Sequence, residues 1–184
     1  MTRWPADWFT GAQVLVIGGT SGIGAGIADG FAAAGAQITV TGATRSEVSA
    51  QPHPGTPLDI RDGAAVAAFI GTLPRLDHLI SCAGVIRRGG EHDPEVFADV
   101  IDINLTGAMR VAQAAGPLLA ASKGTLTLTA SMLSFFGSGP APGYAASKGG
   151  IAQLAKSLAI AWASDGIRVN ALAPGWIATP LRAR

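Results

Sequence analysis

The segment Gln13-Val14-Leu15-Val16-Ile17-Gly18-Gly19-Thr20-Ser21-Gly22-Ile23-Gly24 constrains the fold more than any other part of the chain. Four of its first five residues are apolar and three of those β-branched, and glycines end the run. That is the pattern of a short strand buried on both faces. Such a strand needs cover above and below, and the chain supplies a helix at once. Ile23, Ile27 and Phe31 recur at four-residue spacing between Gly22 and Ala34, and Gly35 stands where a helix end wants a left-handed residue. The alternation continues. Strands are expected at Ile38 to Thr41, in a short segment ending near Leu58, and at Leu76 to Ser81, Thr125 to Thr129 and Ile167 to Leu172. Helices are expected from Asp62 to Leu73, from Asp93-Pro94 through Asn104 to about Leu119, and from Gly143 to Ala163 before Asp165-Gly166. Thr44 to Pro57 holds three prolines and no helical stripe and reads as a loop. Strands alternating with helices through short glycine-bearing loops define an α/β chain with a doubly wound parallel sheet.

Composition narrows what such a chain does. Its 184 residues make one domain, 1–184. A hydrophobic share of 48% against 14% charged excludes intrinsic disorder. Thirteen basic and twelve acidic residues give a net charge of +1, so no surplus points to nucleic acid or an anionic membrane. No stretch approaches the roughly 18 apolar residues of a membrane span. The start, Met1 to Asp7, lacks the apolar run of a signal peptide, and a cytoplasmic protein is expected. Cys82, the single cysteine, excludes an internal disulfide and a multi-cysteine metal site, and no metal is expected.

Three features carry chemistry. Glycines in the turn from the first strand to the first helix permit positive φ and let backbone approach a phosphate at the helix N-terminus. The spacing is Gly-x3-Gly-x-Gly, and no Gly-Lys-Ser/Thr follows, so a P-loop is unsupported. Tyr144 and Lys148, four residues apart, share one helix face. An ammonium there favours phenolate and makes Tyr144 a candidate general acid/base for a carbonyl or alcohol oxygen. Ser131 follows the fifth strand at the sheet edge where doubly wound folds place ligands. Asn104 interrupts an apolar helical run, which suits a buried polar task or plain exposure.

Gly18 to Gly24, Asn104, Ser131, Tyr144 with Lys148, and Pro174-Gly175 occur in the order and spacing of the short-chain dehydrogenases/reductases, which the whole chain resembles. The resemblance implies a Rossmann fold binding NAD or NADP. Tyr144 would exchange a proton with the substrate oxygen, and Ser131 would hold that oxygen. Lys148 would lower the tyrosine pKa and bind the nicotinamide ribose, while Asn104 would bind a water relaying protons from Lys148. Gly18, Thr20, Ser21, Gly22, Ile23 and Gly24 would take the pyrophosphate, Asp59 the adenine, and Ala83 and Gly84 would flank the adenine ribose. Pro174, Gly175, Ile177 and Thr179 would border the nicotinamide. A homodimer or homotetramer, paired through the two long helices, is implied as well.

The chain departs from the family pattern in four places. Ile17 replaces a threonine, losing a side-chain hydrogen bond; Ser81-Cys82-Ala83-Gly84 replaces Asn-Asn-Ala-Gly, with Cys82 read as a small buried hydrophobe. The helix between the second and third strands is expected to be absent or vestigial. The sequence stops at Arg184, so the last strand and the substrate loop of the family are expected to be lacking. Thr41 to Arg45 holds no acid that would favour NAD, and Arg45 with the Thr41 and Thr44 hydroxyls suits the 2′-phosphate of NADP. Met132, Leu133, Phe135, Phe136, Val85, Ile86 and Trp176 suggest a mostly apolar ketone or secondary alcohol. Arg87-Arg88 keep open a 3-oxoacyl thioester on an anionic carrier protein, and a non-catalytic dinucleotide sensor or scaffold is the alternative outside enzymes.

Overall fold

The computed structural model describes residues 5–179; residues 1–4 and 180–184, including Arg184, lie outside the described residues. Gln13–Ile17 forms β1, Gln37–Gly42 β2, Gly55–Pro57 β3, His78–Ser81 β4, Thr125–Thr129 β5 and Arg168–Leu172 β6. All pair in parallel, in the order β3-β2-β1-β4-β5-β6. The direction of winding reverses between β1 and β4, and parallel sheets open a ligand crevice at the carboxyl ends of strands on either side of such a point.

The two-residue period of β1 explains its cover on both faces. Val14 and Val16 pack with Ile38, Val40 and Ile80 beneath helix α1 (Gly22–Ala33). Leu15 and Ile17 join Leu79, Leu126 and Leu128 in the larger cluster. That cluster is closed by α3 (Gly63–Gly71), α5 (Gly107–Ser122) and α6 (Pro142–Ala161). Small residues let α5 sit close: Gly107, Ala108, Ala112 and Ala115 are all buried along one face.

Two expectations need correcting. Thr44 to Pro57 is not one loop, because a five-residue helix α2 (Arg45–Ser49) begins at Thr44, whose hydroxyl accepts the Glu47 N–H, and β3 closes the segment. The expected vestigial helix is therefore present as a single turn. The helix expected from Pro94 to Leu119 is α4 (Pro94–Ile101), then a π-helical turn, Asp102–Thr106, then α5, which continues past Pro117 to Ser122. The widened turn falls on Asn104, as such turns often do at functional positions. No helix among the described residues is long and apolar enough to cross a membrane.

Candidate active site

A cleft of about 940 Å³ opens along the carboxyl edge of the sheet. Its floor is the turn from β1 to α1. Gly18 has φ +73°, and a Cβ there would lie 2.6 Å from the Ala83 nitrogen. At Gly24 a Cβ would run into the Gly18 carbonyl oxygen. Only glycine fits both positions. Ser21 precedes α1 in extended conformation without capping it by its side chain, which leaves the first N–H groups of the helix facing the cleft. Gly24→Ala is expected to displace this turn and lower stability by about 1–3 kcal/mol, read from the midpoint of urea unfolding.

Ile17, where a threonine was expected, is fully buried, and the lost side-chain bond is replaced from the neighbouring strand. The Gly18 N–H donates to the Thr41 hydroxyl at 3.3 Å and the Gly19 N–H to the Thr41 carbonyl at 3.0 Å. Cys82 stands 3.2 Å from the Thr129 hydroxyl, so it is more than an apolar filler, and burial pushes its thiol up.

Tyr144, Ser131 and Lys148 meet on the far wall. The extended Ser131 starts a single 3-10 turn, Met132–Ser134, and its hydroxyl accepts the Leu133 N–H. Ser134 then ties this turn to α6: its hydroxyl accepts the Ser131 N–H and donates to the Lys148 carbonyl at 2.6 Å. Lys148 is buried, with Nζ 2.6 Å from the Thr129 carbonyl and 5.5 Å from the centre of the Tyr144 ring. Burial pulls its pKa down to about 8. Burial also pushes the Tyr144 phenol above its usual range; the Ser131 hydroxyl and the Arg88 charge work against that rise, and Glu91 adds to it.

Asn104 is buried, which settles its two readings. Its Oδ1 accepts the Val85 N–H, and its Nδ2 donates to the Val85 carbonyl and to Ser147 Oγ, whose own hydroxyl donates to the Tyr144 carbonyl. It stands behind the wall, not on it. A Cβ on Gly84 would lie 3.1 Å from Asn104 Oδ1 and 3.6 Å from Lys148 Nζ, so the bare glycine keeps a small polar gap between them.

The other expected residues divide cleanly. Thr20, Gly22, Ile23, Asp59, Ala83, Pro174, Gly175, Ile177 and Thr179 line the cleft, whereas Arg45, exposed at the head of α2, does not. Asp59 spends its carboxylate on Arg61, whose guanidinium hydrogen bonds hold it below the usual carboxylate range. The sequence reading missed Glu47, which lines the cleft, and Glu91, which is 1% exposed and accepts the Arg87 and Tyr144 N–H groups at 2.6 and 2.7 Å. The four-residue step from Ala43 to Glu47 was available as a signal. Nothing local marked Glu91.

Residues 12–184 match the family model described as short chain dehydrogenase. Two relatives, from Pseudoalteromonas atlantica and Bacillus subtilis, are both named 2-dehydro-3-deoxy-D-gluconate 5-dehydrogenase. They are 39% and 37% identical over 92% of this chain, which covers 73% and 72% of theirs. A solved Sinorhizobium meliloti structure, described as a candidate short-chain alcohol dehydrogenase, is 33% identical with a TM-score of 0.84, over 94% of this chain and 75% of its own. The chain therefore belongs to the short-chain dehydrogenase/reductase family. It is an oxidoreductase on a Rossmann fold, and this family uses NAD or NADP.

Proposed function

We propose that the protein transfers hydride between NAD or NADP and a ketone/secondary alcohol, with Tyr144 as the general acid/base. The observation that carries this reading is the convergence of Tyr144, Ser131 and Lys148 on one wall, across the cleft from the glycine turn. The residues fit the cofactor. Gly18 and Gly24 leave a cradle that any Cβ would fill, and Thr20, Ser21 and Ile23 stand around the open N-terminus of α1, where a pyrophosphate is favoured. The bound nicotinamide supplies or accepts the hydride. In the reductive direction the Tyr144 hydroxyl gives its proton to the substrate oxygen as hydride reaches the carbonyl carbon. Ser131 donates to the same oxygen. Lys148 would hold the nicotinamide ribose, and the gap beside Gly84 suits a water joining Lys148 to Asn104. Asp59, Ala83 and Gly84, which line the cleft, would border the adenosine, and Pro174, Gly175, Ile177 and Thr179 the nicotinamide.

Arg88 refines the substrate. It lines the cleft close enough to Tyr144 for its charge to bear on the phenol. The two relatives above are named for a sugar acid, which carries a carboxylate. A hydroxy or oxo acid whose carboxylate pairs with Arg88 fits this wall better than the uncharged, apolar substrate expected from Phe136 and Trp176. The same reading carries a cytoplasmic homodimer or homotetramer.

The test is turnover with NAD and NADP over secondary alcohols and ketones with and without a carboxylate. Carboxylated substrates are expected to be preferred, and Arg88→Ala to raise their KM at least about tenfold while kcat changes less. Turnover restricted to a 3-oxoacyl thioester would move the assignment to that reductase. Cofactor binding without turnover of any substrate would support the sensor or scaffold.

A further inference from the structure

The adenosine end of the cleft carries a negative charge that comes from an unexpected position. β2 ends at Gly42, which has no side chain. A Cβ there would lie 3.2 Å from Glu47 Oε2 and 3.1 Å from Thr20 Oγ1 in the glycine turn. Thr20 Cγ2 comes nearest, at 2.8 Å, and the Glu47 carboxylate sits beside it against the bare Gly42. It is held there by the Ala43 N–H, which donates to Oε2 at 2.8 Å. The capped first turn of α2 brings it back toward the cleft, with the Glu47 N–H on the Thr44 hydroxyl. Among the described residues Oε1 has no hydrogen-bond partner.

Among the described residues no ion pair reaches the Glu47 carboxylate. Among the described residues the cations lining the cleft are Arg61, Arg87, Arg88 and Lys148. Arg61 is engaged by Asp59 and Asp99, at 2.7 and 3.1 Å. Arg87, Arg88 and Lys148 belong to the Tyr144 end, and Arg45 lies outside the cleft. We propose that Glu47 selects NAD over NADP, its carboxylate accepting the adenosine ribose hydroxyls through Oε1 and repelling a 2′-phosphate. An acid at the end of the second strand does this in dinucleotide folds generally. Here Glu47 performs it from one helical turn further along, against the bare Gly42. Arg45, in the same turn, does not line the cleft.

This inference rests on the nicotinamide reading above, and one titration separates the two. NADH and NADPH are added separately to wild-type protein and to Glu47→Gln, and binding is followed by nicotinamide fluorescence. Wild type is expected to bind NADH at least about tenfold more tightly. Glu47→Gln, which keeps an oxygen for the Ala43 N–H, is expected to bring NADPH to within about threefold of NADH. Equal binding, or tighter NADPH, in wild type overturns the role of Glu47 while leaving the nicotinamide reading intact. A variant with the wild-type ratio does the same. Binding of neither form overturns both.

Discussion

Replacing Tyr144 by phenylalanine is expected to lower kcat/KM by at least about 10²-fold while NADH binding survives. The variant removes one oxygen and little else. Its backbone N–H still donates to Glu91, its carbonyl still accepts from Ser147, and the ring still covers Lys148 Nζ at 5.5 Å from its centre. The fold should therefore be intact, and an unchanged urea midpoint would show it. What is lost is the proton donor beside Ser131. The pH dependence has a definite sign. Alcohol oxidation needs the phenolate and ketone reduction the phenol, so in wild type oxidation gains as pH rises while reduction falls. Burial lifts the phenol above its ordinary range, which places the crossing on the alkaline side in the free protein. Near-normal turnover by Tyr144→Phe, or an oxidation rate indifferent to pH, would remove Tyr144 from the reaction.

The sequence made the first strand and its cover readable because burial on two faces leaves a dense apolar run, as at Val14 to Ile17. Helix starts were readable where a short side chain caps, as Asp93 does before Pro94. Partnerships set by tertiary structure were not. A π turn needs one extra residue in a helix and leaves no period to see, so Asn104 looked like a lone polar intrusion. The helix at Arg45–Ser49 is too short to show a stripe, and its proline-rich surroundings argued for a loop. Its chief consequence, the return of Glu47 to the cleft, was hidden with it. Arg45 drew attention as a cation and Glu47 did not, and only the backbone path shows that it is Glu47 that lines the cleft. Ser134 gave no sign of its task either: only the packing of the Ser131 turn against α6 brings its hydroxyl to the Lys148 carbonyl.

Glu91→Gln is the sharper test of how the catalytic helix is held. Glu91 is 53 residues from Tyr144 in sequence, yet its carboxylate receives the Tyr144 N–H in the first turn of α6 and, through its other oxygen, the Arg87 N–H. One buried side chain thereby joins the loop after β4, which carries Arg88, to the start of the helix that carries Tyr144 and Lys148. An amide cannot reproduce this. Its oxygen accepts one N–H, but its nitrogen only donates and would face the other N–H donor. A buried amide left unpaired costs about 1–3 kcal/mol, and a negative charge beside a helix N-terminus contributes about 0.3–1 kcal/mol more. The loss expected in urea unfolding is therefore about 1–4 kcal/mol, within what a domain of this size tolerates. Catalysis should fall as well, with kcat reduced at least about tenfold because Tyr144 and Arg88 no longer share one anchor. The pH profile separates this from a general loosening. Glu91 raises the Tyr144 phenol, so removing its charge lowers the phenol, and the alkaline rise of alcohol oxidation should move to lower pH. A destabilised variant whose profile stays in place would make Glu91 a structural anchor alone. A variant matching wild type in both stability and profile would show that the Arg87 and Tyr144 amides find other acceptors.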